Sequence, residues 1–541
     1  MRSFEVDYKS LITQKLLVDA YAYFGSCRDF YGRNVLLKVP TGKIYSSVIN
    51  STLMADPLLS PELFFATARF ADAKFNFHPP FDRSTFNPSF TPTPNYLRMK
   101  KLSYFFAASL VLLFSCKKNE PGIVLPSAEK NVFDMKNDQI KIAVVSDIHY
   151  TAPALFSNNG QAGQAFQDYL AQDPKLLAYS DPIWRRVLTD LKTDKPDILL
   201  VPGDLTKDGE RINHQAMAGF FQSLQNDGVK IYVVPGNHDV ANPEARRYDG
   251  NNAYPTPNIT PAEFSSLYAS FGYANAIGRD PNSLSYVTQP YPGLWIMGVD
   301  ACRYEDNVDK STTPGRIKPQ TLAWMLEKLA QAKAQNITVF GMMHHNLVEH
   351  YTNQATLDPG YVIDDWQNIS ETLMNAGLRI IFTGHYHASD ITRVQNKRNE
   401  LFDIETGSLV TAPIPYRRIV MKNKELDITT NRVTSINATF PDEMSFTQYA
   451  NSFLSVHLDA YFNYLLTTPA FGAPPSLAAF AAPIYRQGIM AHLAGDEKIN
   501  PQQKDEIKQL ATYSPELAEI VGFLWNDLPV KDNQEIVKYR D

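Results

Sequence analysis

The sequence predicts an α/β fold, a largely parallel sheet with helices on its faces, followed by an all-helical C-terminal domain. Three observations predict it. Short β-branched and leucine-rich runs recur from residue 139 onward, each bounded by turn residues, as strands buried on both faces are. Stretches with apolar residues at helical spacing alternate with them, and alternating β and α elements imply a parallel sheet. From about Thr439 the strand-like runs stop and helical patterns take over.

Five runs carry the strand prediction: Ile142 to Val145, Ile198 to Val201, Ile231 to Val234, Ile337 to Met343 and Leu378 to Phe382. Between them, Pro182 to Leu191, Gln215 to Leu224 and Gln320 to Ala332 read as helices; the last spaces Leu322, Met325, Leu326 and Leu329 along one face. Tyr248 to Tyr291 is rich in Pro, Asn and Tyr and reads as loops over a site. Ile391 to Val394, Leu401 to Ile404 and Arg418 to Met421 follow with little helix between them and read as closing a second sheet. Glu443 to Leu466, Ser476 to Ala494, Pro501 to Tyr513 and Pro515 to Asn526 read as helices, the later ones starting at Ser or Pro. This last part clusters no catalytic residue types and reads as a cap or an interaction module.

Composition narrows the function. At 541 residues the chain exceeds one ordinary core, so more than one domain is expected. Its 44% hydrophobic and 20% charged residues describe a soluble globular protein, and a net charge of −6 argues against nucleic acid as a partner. Three scattered cysteines, Cys27, Cys116 and Cys302, supply neither a disulfide framework nor a thiolate metal site. Any metal must be held by nitrogen and oxygen.

The N-terminal quarter is unlike the rest. Residues 1–98 are rich in Phe and Pro without a sustained period, and read as disordered or as preceding the true start of translation, with a genuine N-terminal domain as the alternative. Met99-Lys100-Lys101, the apolar run Leu102 to Phe114 and the small residues after it form a signal-peptide pattern over 99–116. Leu113-Phe114-Ser115-Cys116 resembles the bacterial lipobox, in which the cysteine is lipidated. The expectation is export to a bacterial cell envelope, with membrane contact through a lipid anchor on Cys116. Residues 117–138 then form a tether, 139–435 the α/β domain and 436–541 the helical domain.

Each of the five strand-like runs ends in side chains that bind cations. The ends are Asp147 and His149, then Asp204, then Asn237 and His238, then His344 and His345, and last His385 and His387. Open α/β sheets place ligands at the carboxyl ends of their strands. Imidazole with carboxylate and amide oxygen suits Mn, Fe or Zn. Among the other histidines, His214 reads as structural or solvated, and His350 admits either a structural place or one facing substrate.

D-x-H at Asp147, G-D at Asp204, G-N-H-D at Asn237, H-H at His344 and G-H-x-H at His385, in this order, resemble the calcineurin-like metallophosphoesterase family over roughly residues 139 to 425. The resemblance implies a four-layer α/β/β/α sandwich and two metal ions, both divalent or one of them ferric. One would be held by Asp147, His149, Asp204 and His387, the other by Asp204, Asn237, His344 and His385, with Asp204 bridging. It implies that His238 protonates the leaving oxygen and that His345 lies outside the metal shell. Several family phosphatases pair that histidine with an acid three residues after the bridging aspartate. Here that position is Lys207, and the next residue, Asp208, reads as a turn residue. Gly203 to Thr206 and Pro235 to Asp239 look like the cyclic-nucleotide phosphodiesterase branch, so the implied partner is a small phosphoester. The alternatives on the same site are a phosphomonoesterase and a pyrophosphate or phospholipid-headgroup hydrolase. From another class, a non-catalytic envelope binding protein would use the same scaffold.

Overall fold

The computed structural model describes residues 35–38, 44–47, 138–157, 163–469 and 471–539. Contacts divide the chain into two units, 31–131 and the remainder. In the first, β1 (Val35–Lys38) and β2 (Ile44–Ser47) form an antiparallel hairpin, which the sequence reading does not predict. The signal-peptide and lipobox segment, Cys116 included, and nearly all of the tether lie outside the described residues.

The second unit runs through β3 (Ile140–Val144), α1 (Gln164–Leu170), α2 (Ser180–Asp194), β4 (Ile198–Pro202), α3 (Arg211–Asn226) and β5 (Lys230–Val234). Then come β6 (Arg246–Asp249), β7 (Asn252–Pro255), α4 (Pro261–Leu267), β8 (Gly278–Arg279), β9 (Tyr286–Tyr291) and β10 (Leu294–Val299). Next are α5 (Pro319–Ala334), β11 (Thr338–Met343), α6 (Gln354–Leu357), α7 (Trp366–Ala376), β12 (Ile380–Thr383), β13 (Ile391–Gln395) and β14 (Glu400–Glu405). The chain closes with β15 (Pro415–Lys422), β16 (Glu425–Arg432), α8 (Phe446–Thr467), α9 (Pro475–Ala494), α10 (Pro501–Tyr513), α11 (Pro515–Phe523) and β17 (Gln534–Lys538).

Two mixed sheets result, ordered β17-β16-β15-β3-β4-β5 and β13-β14-β12-β11-β10-β9-β8. In the first, β3-β4-β5 are parallel and end the sheet at β5, with antiparallel β15, β16 and β17 on the other side; in the second, parallel β10-β11-β12-β14 are flanked on both sides by antiparallel strands. Period-2 alternation makes the layers. Ile296, Phe340, Met342, Ile380 and Phe382 share the large core with Val144, Leu200 and Val233 of the other sheet. Their neighbours Met297, Val339, Met343 and Ile381 point the other way, onto Met325 and Leu329 of α5 and Leu373 of α7. On the first sheet, α2 and α3 bury Trp184, Val187, Met217 and Phe221, spaced at helical periods. Helix, sheet, sheet, helix is the expected four-layer sandwich.

Two expectations are corrected. The strands after His387 do not form a second sheet by themselves: β13 and β14 complete the sheet of β12, while β15 joins β3. Tyr248 to Tyr291 is more than loops, because it contributes α4, β9 and the edge strand β8. Tyr286 at the start of β9 donates its hydroxyl to the Val233 carbonyl at 3.0 Å, which couples the two sheets. The C-terminal helices are present as read, with capping boxes at Ser445 and Asn500 and a Ser514 cap. After them the chain returns as β17, paired antiparallel with β16. Its two apolar residues, Ile536 and Val537, are adjacent and only Val537 is buried, so the short edge strand is weakly marked in the sequence.

Candidate metal centre

The five predicted strands divide between the sheets, β3, β4 and β5 in one and β11 and β12 in the other. Their carboxyl ends converge, so residues from 147 to 387 meet in one crevice. Ligand atoms of Asp147, His149 and His387 lie within 4.8 Å of one another, as do those of Asp204, His344 and His385. Asp204 Oδ2 stands 3.5 Å from His149 Nε2 and 3.4 Å from His344 Nε2. One carboxylate oxygen thus faces both groups, as a bridging ligand must. Asn237 Oδ1 is 3.1 Å from His344 Nε2, and His387 Nε2 is 3.4 Å from Asp147 Oδ1. All seven expected ligands are therefore brought together.

The remaining atoms of these side chains are tied down in a way that aims the free ones inward. His344 Nδ1 donates to the Pro202 carbonyl at 2.9 Å and His385 Nε2 to the Gly360 carbonyl at 3.1 Å. Each bond fixes the tautomer that leaves the other ring nitrogen as a lone pair. Asp147 Oδ2 accepts from the His385 amide at 3.0 Å and from the Ser146 hydroxyl at 2.5 Å. Asp147 Oδ1 and both ring nitrogens of His149 are buried with no hydrogen-bond partner. Orphaned acceptors at this depth are costly unless something binds them, and a carboxylate oxygen beside an imidazole fits a cation.

Electrostatics agree. Burial drives His149 well below its ordinary value, with the Lys175 ammonium adding to the effect, so the ring stays neutral and able to ligate. Burial opposes ionisation of Asp204, but His344 and His238 outweigh it and hold the carboxyl well below the usual range.

Backbone strain and tight glycines hold the centre in place. Asp147, His149, Asp204, His385 and His387 all adopt positive φ, between 42° and 77°. Each such non-glycine residue costs ~1–3 kcal/mol and persists only where its surroundings enforce it. At Gly236 a Cβ would lie 2.1 Å from Asp204 Oδ1, and at Gly384 it would lie 2.5 Å from Asp147 Oδ2. These motif glycines are present because the backbone touches the ligands. Asp239 binds the strand ends together: its carboxylate accepts from the amides of Leu205 (3.1 Å), Thr206 (3.0 Å) and Gly236 (2.9 Å).

His238 sits beside the centre, its ring edge-on to His149 at 4.9 Å. The expectation for Asp208 is overturned. It is buried, and its Oδ1 lies 2.9 Å from His238 Nδ1. Its other oxygen is held by the Lys207 ammonium, which lies 3.5 Å from Glu210 and 4.3 Å from the Tyr169 ring centroid. Burial opposes this carboxylate too, yet Lys207 and His238 bring it down to about 2. The acid has moved one residue along the loop, and a buried lysine occupies its usual place. An acid adjacent to the expected position was the available signal.

Other positions follow the reading or extend it. His345 donates from Nε2 to the Thr313 carbonyl at 2.9 Å, stacks on His385 at 4.3 Å and belongs to neither ligand group. His214 is structural, held by Tyr268 and the Asp239 carbonyl. His350 does not face the centre; it is buried against Asp390 and Asp403. Lys175, a buried cation whose field reaches His149 and His238, had no motif to announce it.

Residues 140–389 match the family model for calcineurin-like phosphoesterases. The chain carries a calcineurin-like phosphoesterase domain. With the buried ligand groups at its centre, it is a metal-dependent phosphoester hydrolase. Solved structures similar to the phosphoesterase include a dimetal phosphatase from Danio rerio, 12% identical, TM-score 0.39, covering 54% of this chain and 96% of that one. Another is a putative 5'-nucleotidase from Staphylococcus aureus in complex with alpha-ketoglutarate, 14% identical, TM-score 0.34, covering 60% of this chain and 59% of that one. No curated protein matches the chain.

Proposed function

We propose that this phosphoesterase cleaves phosphodiesters, with His238 giving its proton to the leaving oxygen. The observation that carries the reading is the His238–Asp208 pair beside Asp204. Asp208 holds Nδ1 at 2.9 Å, which leaves Nε2 as the ring atom able to serve substrate. The His238 amide donates to Asp204 Oδ1 at 3.0 Å, so the acid and the bridging carboxylate keep a fixed spacing. Burial disfavours the imidazolium, but Asp204 and Asp208 raise His238 above its ordinary value, and the ring carries the proton it must give.

Asp147, His149, Asp204 and His387 would hold one cation, and Asp204, Asn237, His344 and His385 the other. Bound there, two cations supply an activated water and neutralise charge on the phosphoryl oxygens. In the hydrolysis, a water oxygen bonds to phosphorus, the bond to the leaving oxygen breaks, and that oxygen takes the His238 proton. Lys175 supplies a further positive charge for the phosphate. The resemblance of the Gly203 and Gly236 loops to the cyclic-nucleotide branch makes 3′,5′-cyclic nucleotides the first diesters to assay. A metal-supplemented screen over cyclic nucleotides, phosphomonoesters and phospholipid-headgroup diesters tests the reading. A clear preference for monoesters contradicts it, and turnover of none of them returns the binding-protein alternative.

A second reading concerns the substrate. A cavity of about 120 Å³ has the ligand His387 and its partner Thr411 in its wall, with Lys175 beside them. Leu454, Leu458, Ile489 and Leu493 of the C-terminal helices line the rest. Such a lining favours a diester with an apolar arm over a bare nucleotide. Comparing rates on methyl and octyl p-nitrophenyl phosphate tests this: equal kcat/KM on both contradicts it.

Export and anchoring through Cys116 complete the proposal, resting on the signal pattern of residues 99–116. Cys116→Ser should free the protein from the membrane fraction or block its maturation. Native protein that retains residues 1–98 in a mass spectrum contradicts it.

A further inference from the structure

Three residues after His387, Asp390 opens a second group of ionisable side chains, which the hydrolysis does not use. Asp390 Oδ1 accepts from His350 Nδ1 at 2.7 Å. Its Oδ2 is buried without a hydrogen-bond partner, 3.9 Å from His492 Nδ1. Glu497 Oε1 meets the same His492 nitrogen at 2.6 Å, and Glu497 Oε2 is buried and unpartnered as well. Ligand atoms of Asp390, His492 and Glu497 all lie within 4.8 Å of one another. Oxygens of Asp496, Asp527 and Asp532 form a second such group in the same C-terminal segment.

Buried carboxylates crowd together here. Asp390, Asp403, Glu405 and Asp532 are fully buried, and Glu497 is 9% exposed. The buried arginine of the group, Arg417, gives its guanidinium to main-chain carbonyls of Asp390, Glu405 and Asp532 and to the Thr430 hydroxyl rather than to a carboxylate. Asp403 and Asp532 are satisfied by main-chain amides and the Thr383 hydroxyl, which leaves Asp390 Oδ2, Glu405 Oε2 and Glu497 Oε2 as the buried oxygens without a donor. Burial and neighbouring carboxylates push Glu405 up to about 8, Asp527 to about 7 and Asp532 to about 9. Buried charges are ordinarily paired or bound to metal.

We infer that Asp390, His492 and Glu497 bind a third divalent cation, with the acidic side chains of Asp496, Asp527 and Asp532 beside it. Carboxylate oxygens with a single imidazole and no thiolate suit Ca2+ or Mn2+. Such an ion would fasten the end of α9 and the approach to β17 onto the loop that carries His385 and His387. The backbone is already in place for it: the Ser389 amide donates to the Leu493 carbonyl at 3.2 Å, and a Cβ at Gly495 would lie 2.2 Å from the Ser389 carbonyl. The role is structural, and it holds whatever the substrate.

The test starts with the full-length parent equilibrated with Mn2+ to fill the hydrolytic centre, then titrated with Ca2+. Metal content is measured by mass spectrometry and Tm by calorimetry. A third equivalent, of Ca2+ or of Mn2+, with a Tm that rises as it binds, is expected. Glu497→Gln should lose that equivalent while keeping two others and the rate on bis(p-nitrophenyl) phosphate. Its Tm should not rise with added cation as the parent's does, whereas the lost contact to His492 changes Tm equally with cation and in chelator. Two equivalents in the parent under all conditions would overturn the site. So would a Glu497→Gln protein whose Tm rises with cation as much as the parent's.

Discussion

Asp208 Oδ1 lies 2.9 Å from His238 Nδ1, and the Lys207 ammonium holds the other oxygen of the same carboxylate. A charge relay of this shape orients the imidazole and favours its protonated form. Asp208→Asn keeps the shape and removes the charge. It should lower kcat by at least ~10-fold, within the ~10²–10⁴-fold that a general acid supplies, and leave metal content unchanged. Parent-like kcat in this variant would make Asp208 a packing residue.

Asp204 Oδ2 faces both ligand groups, at 3.5 Å from His149 and 3.4 Å from His344. Asp204→Asn should therefore lose at least one metal and nearly all turnover. His345→Ala should keep both metals, since its Nε2 is committed to the Thr313 carbonyl. Metal analysis of the two variants side by side checks the assignment; two full equivalents in Asp204→Asn would refute it.

Gly236 has no room for a methyl group. Its Cβ would stand 2.1 Å from Asp204 Oδ1 and 2.2 Å from the Asp204 amide nitrogen, and a backbone atom cannot rotate away. Gly236→Ala should cost ~1–3 kcal/mol of stability as overpacking does, and should displace Asp204. A lowered Tm with weaker metal binding is the expected pair of results.

His214 gives a pH dependence remote from the hydrolytic chemistry. Burial holds its folded-state value down at about 3, against ~6.5 in an unfolded chain. Its ring must stay neutral to accept from Tyr268. Between pH ~6.5 and about 3 the unfolded state binds more protons, so stability is complete above ~6.5 and declines as pH falls through that window. His214→Gln should lose stability near neutral pH through its altered hydrogen bonds and show a shallower decline on acidification. Parallel melting curves against pH would exclude this role.

Much of the centre was legible in the sequence because its ligands sit directly after apolar runs, where strand ends must be. Asp147, Asp204 and Asn237 needed only that local pattern. What stayed hidden depends on tertiary contact. Asp208 escaped because a one-residue shift in the loop places Lys207 where an acid was expected. Lys175 lies in no motif, and its field matters only once the loop folds against His149. The division of strands was hidden for another reason: an apolar run shows that a strand is buried, not which sheet receives it, so β14 and β15 looked consecutive. Glu497 and Asp532 lie in no motif, and they meet Asp390 and His492 only once the segment after α9 folds back to the sheet.

The most direct test of the proposed chemistry is the kcat/KM of His238→Ala relative to the parent on two substrates, with metal content checked. A ribose hydroxyl leaving from a 3′,5′-cyclic nucleotide needs a proton, whereas a nitrophenolate leaving from bis(p-nitrophenyl) phosphate needs it far less. If His238 is the acid, the loss should approach ~10²–10⁴-fold on the cyclic nucleotide and be much smaller on the nitrophenyl diester, at unchanged metal content. Equal losses on both would make His238 a positioning residue, and unchanged rates would remove it from the reaction.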